Sequence, residues 1–191
     1  SLSTRNEFNI LVLSRGSGSY FDENTHEQLI ETTIDATIKD QSVNCNLLVK
    51  KHPRELNSYW DKIQSVYPKI NIINDHILKI ATSVDLVITY WSSGAMDCYE
   101  LGVPVIEFYD PNKHPKQQVL YKNSYTTIYR KLDLVHAANN KTELKRIIKD
   151  KIKNISNIKS EKPHPFYIDL IKRSNNWQKV FENILTKNNL L

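Results

Sequence analysis

Short apolar runs rich in β-branched residues alternate with amphipathic stretches along most of this chain. Strands are predicted near 8–14, 46–50, 70–74, 85–90, 104–109 and 126–130, and helices near 26–40, 55–67, 76–84, 93–102, 141–156 and 174–187. Leu86-Val87-Ile88 is an unbroken apolar run, the pattern of a strand buried on both faces. Strands alternating with helices predict an α/β sandwich of three layers around a mostly parallel sheet. Ser, Asn, Lys and two prolines cluster at 156–166, which predicts an irregular joint. The chain is therefore read as a domain over 1–156 and a helical extension over 157–191. In the extension, Trp177, Val180, Phe181, Ile184 and Leu185 form an apolar stripe suited to docking.

The segment Asp85 to Phe108 carries the clearest candidate chemistry. It reads as strand, tight turn, short helix, glycine stop at Gly102 and a second buried strand after Pro104. Ser92, Ser93 and Gly94 open the helix, where backbone N–H groups and hydroxyls favour an anion. Asp97 and Glu100 stand three residues apart on one helix face and suit a ribose. An ordinary capped strand–helix–strand unit has much the same pattern, and both readings stand at this point.

A second candidate lies upstream. The strand Asn46-Leu47-Leu48-Val49 runs into Lys50-Lys51-His52-Pro53-Arg54, and Pro53 must end it. Three cationic side chains and a histidine are thus displayed at a strand's carboxyl end, where open α/β sheets bind ligands. Such a cluster suits phosphate, and His52 offers a hydrogen bond or a proton. A solvated basic loop is the plainer alternative. The first strand ends in Ser14-Arg15-Gly16-Ser17-Gly18, which lacks the third glycine of a dinucleotide fingerprint. On the residues alone, this loop around Arg15 and Ser17 reads as a flexible glycine turn. The loop 110–116 follows another strand and reads as a contact to the transferred group or as a crossover.

Composition narrows the class. The chain has 191 residues, 40% hydrophobic and 25% charged, enough for one domain with a sizeable core. No apolar run reaches membrane-spanning length, and the polar start shows no signal peptide. Ser1 is not an initiator residue, so a trimmed or processed product is expected. Two cysteines and six scattered histidines show no metal-site spacing, and no metal or cofactor is expected. Residues 1–140 carry 14 basic and 16 acidic side chains, whereas residues 141–191 carry 12 and 5. That cationic end fits a solvated helix face or an anionic membrane surface; no nucleic-acid motif accompanies it, and no nucleic-acid partner is expected.

Lys51-His52-Pro53, Ser92-Ser93, Asp97 or Glu100, and Gly102-Val103-Pro104-Val105-Ile106 together resemble the C-terminal half of GT-B glycosyltransferases. The group is the one that builds bacterial surface polymers: sialyl- and polysialyltransferases, capsule glycosyltransferases and CDP-glycerol glycerophosphotransferases. The resemblance covers about residues 46 to 110. It implies a Rossmann-like domain, one half of a GT-B fold, that binds the nucleotide of an activated sugar. It further implies Lys51, His52, Pro53, Ser92, Ser93 and Gly94 at the phosphates, Asp97 or Glu100 at the ribose, and Arg15 and Ser17 nearby. His52 is the implied catalytic group. The implied partners are a nucleotide-sugar donor, a glycan acceptor and an N-terminal half in the same or a separate chain. The implied location is the cytoplasm, peripheral to the membrane's inner face. A non-hydrolysing sugar-nucleotide epimerase and a non-catalytic binding module are the alternatives.

Overall fold

The computed structural model describes residues 8–18, 22–55, 58–110, 119–121 and 124–154. All lie in the first of the chain's two units, Ser1–Glu161. The expected boundary at 156/157, the helix at 174–187 and its apolar stripe lie outside the described residues.

Six parallel strands form one sheet in the order β3-β2-β1-β4-β5-β8. They are β1 (Phe8–Leu13), β2 (Cys45–Lys50), β3 (Ile70–Ile72), β4 (Leu86–Thr89), β5 (Val105–Phe108) and β8 (His136–Ala138). The helices are α1 (Glu23–Ala36), α2 (Tyr59–Gln64), α3 (Ile77–Ala81), α4 (Ala95–Glu100), α5 (Ile128–Lys131) and α6 (Lys141–Lys153). A short antiparallel pair, β6 (Val119–Tyr121) and β7 (Ser124–Thr126), stands apart from the sheet. The expected α/β Rossmann-like sandwich is present.

Side chains alternate across the strands, so both faces of the sheet are sealed. Ile10 and Val12 of β1 join Leu47, Val49, Ile88 and Ile106 beneath Ile30 and Ile34 of α1, Trp60 of α2 and Leu144 and Ile148 of α6. Leu11 and Leu13 face the other way, with Val87 and Val105, against Ile77 and Ile80 of α3 and Ala95 and Cys98 of α4. Full burial of each such side chain contributes about 1.5–3 kcal/mol. Local signals set the helix ends. Asp22 accepts the Thr25 amide at 2.7 Å to start α1. Asn140 and Glu143 form a reciprocal cap on α6, with Glu143 N donating to Asn140 Oδ1 and Asn139 N to Glu143 Oε2.

One expected strand is corrected. Of residues 126–130, only Thr126, the end of β7, is extended in a strand, because Thr127 accepts the Arg130 amide at its hydroxyl and begins α5. A β-branched and aromatic run favours a strand only weakly, and here the cap and the Thr127 hydroxyl's 2.7 Å bond to Glu107 win. The sheet's sixth strand is instead His136–Ala138, paired with Ile106–Phe108. It has no β-branched residue, so no apolar signal marks it. The helix expected at 93–102 is shorter, Ala95–Glu100.

Register places the ligand edge. Leu13 pairs with both Lys50 and Thr89, and Thr89 with Glu107. The turns that begin at Ser14, Lys51 and Tyr90 therefore leave the sheet level with one another. Chain direction across the sheet reverses between β1 and β4, which makes this edge a topological switch point.

Candidate functional site

The turns after β2 and β4 flank the turn after β1, two strand spacings apart, or about 10 Å. The first is a closed β-turn, His52 to Glu55, with Glu55 N donating to His52 O at 2.8 Å. Pro53 occupies its second position, where a fixed φ is favourable. Arg54 N donates to His52 Nδ1 at 3.1 Å, and His52 N donates to Glu55 Oε2 at 3.3 Å. The imidazole is thereby bound to its own turn on one ring nitrogen.

Glu55 is buried and ties that turn to the rest of the edge. Its Oε1 accepts from Ser14 Oγ at 3.0 Å and from Ser58 Oγ at 2.7 Å, and His26 Nε2 lies 3.4 Å away. Ser14 Oγ also accepts from Trp60 Nε1 at 3.0 Å and sits 3.1 Å from His26 Nε2. Ser14 has a single hydroxyl proton, and Glu55 takes it. The Ser14–His26–Glu55 group is therefore a structural tie rather than a nucleophilic triad, which needs that proton directed at the histidine. Burial lowers the His26 pKa, with the Glu55 carboxylate pulling the other way. Gly16 makes room for Glu55: a Cβ there would stand 2.9 Å from Glu55 Cγ. A cavity of about 80 Å³ opens on this group, lined in part by Gly16, Ser17, Glu23, His26 and Arg54.

The turn after β4 is strained at Trp91, whose φ of 65° is unusual for a bulky residue. Arg15 Nη1 donates to Trp91 O at 2.8 Å, and the indole packs against the rings of Tyr109 and Tyr129, each centroid 5.6 Å away. Ser92 N donates to Thr89 Oγ1, while Ala95 N and Met96 N close on Ser92 O and Ser93 O. Gly94 is the cap residue of α4 and no side chain caps it. The amides of Ser93 and Gly94, and the hydroxyls of Ser92 and Ser93, have no acceptor or partner among the described residues.

The structure brings most of the predicted residues to this edge and changes what several can do there. Arg15 holds the Trp91 carbonyl. Lys51 is already paired, its Nζ 2.7 and 2.9 Å from the two Asp61 oxygens, and Lys50 Nζ donates to Asp75 O. Ser17 is exposed. Asp97 lies in the first turn of α4, closer to the Ser92 turn than Glu100, which is exposed at the far end. The loop expected to reach the transferred group, 110–116, falls outside the described residues after Asp110. Ser14, His26 and Glu55 were not among the expected residues, whereas Arg54 of the expected basic cluster has no side-chain partner among the described residues. The first three come from distant segments, and only the Glu three places after His52 hinted at the closed turn.

Other charged and reactive groups have structural partners. Lys145 and Lys149 of α6 reach Asp40 at 3.2 and 3.3 Å, and Lys141 pairs with Asp35. Much of the basic stripe is thus neutralised within the domain. Cys45 and Cys98 are buried in cores on opposite faces of the sheet, and burial pushes their thiols up to about 11 and about 12. No group of three or more His, Cys, Asp or Glu among the described residues is placed to hold a metal ion. No helix among them is long and apolar enough to cross a membrane.

No family model matches the chain, and no curated protein does. Solved structures do. A UDP-GlcNAc 2-epimerase from Neisseria meningitidis bound to UDP-GlcNAc superposes with a TM-score of 0.59 at 13% identity, over 96% of this chain and 45% of that one. MnaA of S. aureus with UDP gives 0.56 at 13% identity, over 91% and 47%. The wall teichoic acid polymerase TagF gives 0.53 at 16% identity, over 96% and 44%. At these identities the likeness is one of fold. The chain spans less than half the length of each of these neighbours, and its fold is that of one Rossmann-like half of such enzymes.

Proposed function

We propose that this chain is the donor-nucleotide-binding half of a nucleotide-sugar-dependent glycosyltransferase acting on a surface glycan. The observation that carries the reading is the level edge at the switch point. The His52–Arg54 turn and the unclaimed Ser93 and Gly94 amides both follow strands that end at that edge, which supports a shared anion site there. Transfer of an activated sugar leaves negative charge on the departing phosphate, and preorganised donors lower the barrier to its departure. His52, the two amides and the Ser92 and Ser93 hydroxyls bond that phosphate, with Arg54 replacing Lys51 as the mobile cation. Asp97, rather than Glu100, holds the ribose. The acceptor and the base that activates it belong to a second half, in the same or a separate chain.

A second reading is an epimerase-like half, favoured by the TM-score of 0.59 to the Neisseria meningitidis enzyme against 0.53 to TagF over the same share of this chain. The two readings share the nucleotide site and differ in the chemistry of the missing half. Calorimetric titration with CMP, CDP, UDP and GDP tests what they share. Micromolar to millimolar binding of a diphosphate, tighter than the matching nucleoside, is expected. Binding of none of the four overturns both and leaves a non-catalytic module. With the second half supplied, glycan growth identifies the transferase, and an epimerised free nucleotide sugar identifies the epimerase.

A further inference from the structure

We infer that Glu55 is a positioning residue that fixes His52 as an Nε2–H donor toward phosphate, an assignment that rests on the donor-nucleotide reading above. Arg54 N donates to His52 Nδ1, so the lone pair of that nitrogen is occupied and a neutral imidazole must carry its proton on Nε2. A ring held so has a hydrogen-bond donor, and no base, on its other nitrogen. That is the polarity an anionic oxygen requires.

What keeps the ring in place is the turn, and Glu55 closes it twice. Its amide donates to His52 O, and its Oε2 accepts the His52 amide. The opposite oxygen is anchored by Ser14 at the end of β1 and Ser58 at the start of α2. One carboxylate thus links the His52 turn to the neighbouring strand and helix, and only a glycine at position 16 leaves space for its side chain. A carboxylate is needed rather than an amide. Glu55 accepts on both oxygens, whereas glutamine offers one accepting oxygen and an NH2 group that must oppose a donor. Glu55→Gln keeps the size and the bonds from Ser14 and Ser58, and sets an NH2 group against the His52 amide.

The test compares two variants with the wild-type chain. Long-range ¹⁵N–¹H NMR of the histidine rings reports the His52 tautomer without any ligand. Calorimetry reports the affinity for UDP or CDP, whichever binds, and for the matching nucleoside. Expected in the wild type is a single Nε2–H tautomer. Expected in Glu55→Gln is a mixture of tautomers and about tenfold weaker diphosphate binding, with nucleoside binding unchanged. Ile63→Val is the structural control: it trims the core beneath α2 and touches no hydrogen bond of the turn, so it should lower the melting temperature and leave the tautomer and both affinities near wild type. A wild-type Nδ1–H tautomer overturns the inference even if no variant folds. So does a Glu55→Gln chain with wild-type tautomer and diphosphate affinity, or equal losses in both variants. If the wild type binds no nucleotide while the tautomers behave as stated, the donor reading fails, the phosphate role of the ring falls with it, and only the Glu55–His52 geometry stands.

Discussion

Arg130 Nε lies 2.6 Å from Oε2 of Glu107, a carboxylate with no solvent exposure at the end of β5. Thr127 donates to the same oxygen, and Arg130 Nη2 also reaches the carbonyls of Glu107 and Tyr109. Its Nη1 donates to Asn139 Oδ1, just past β8. One guanidinium therefore fastens the edge strand β8 to β5 while compensating a buried charge.

Arg130→Ala should cost about 3–5 kcal/mol, because it strands the carboxylate and unfastens the edge strand together. Lysine should not rescue it, since an ammonium cannot serve oxygens in a fork. Urea unfolding of the three proteins measures this. A loss below about 1 kcal/mol would mean that Glu107 takes up a proton when its partner is removed. The direction of its shift makes that a real competitor: burial raises the Glu107 pKa, with Arg130 opposing.

The buried His26 should make stability depend on pH. Burial lowers its pKa from the ordinary 6.5, and Glu55, Glu27 and Glu23 oppose the shift. The ring also faces Ser14 Oγ and the edge of Tyr90. Below about 6.5 the unfolded chain binds a proton more readily than the folded one, so stability falls as pH drops from 6.5 toward the folded value. Glu107 has the opposite sign: its raised pKa makes stability fall as pH rises above 4.5. The two overlap, so the comparison must be with His26→Gln. Melting curves at pH 5, 6 and 7 should show the wild type gaining more with pH than the variant. Parallel pH profiles would exclude His26 as the source.

The sheet was legible because its inner strands are short, β-branched and apolar, as Leu86-Val87-Ile88 shows. His136-Ala137-Ala138 was not, because an edge strand held by backbone pairing to one neighbour needs no such pattern. The run from Thr126 to Arg130 misled in the reverse sense, with strand-like residues captured by a threonine cap. At the candidate site, Pro53 and the glycines announced the turns. The partners that disarm Lys51 and Arg15 were invisible, since Asp61 and the Trp91 carbonyl are brought there only by folding.

His52→Ala should weaken diphosphate binding by roughly 1.5–3 kcal/mol, the loss of a hydrogen bond to a charged group. It also removes the acceptor of the Arg54 amide, so a fall in stability of about 0.5–1.5 kcal/mol accompanies it. Calorimetry and thermal melts on the same samples separate the two. A large drop in melting temperature with unchanged affinity would make the residue purely structural.

Replacing Ser92 and Ser93 together by alanine should reduce affinity for nucleotide phosphates more than for the bare nucleoside. The structure sharpens this expectation. Neither hydroxyl caps α4, whose cap residue Gly94 receives no side-chain bond, so the pair contributes little to the helix itself. The melting temperature should therefore move by only a degree or two, as for an exposed site changed by about 0.5 kcal/mol. What the variant loses is two donors beside the Ser93 and Gly94 amides, and their contribution should grow with phosphate charge. Titration with UMP, UDP and uridine, or the cytidine series, gives the ratio. Equal losses for diphosphate and nucleoside, or a collapse in stability, would show that the serines shape the turn rather than face the anion.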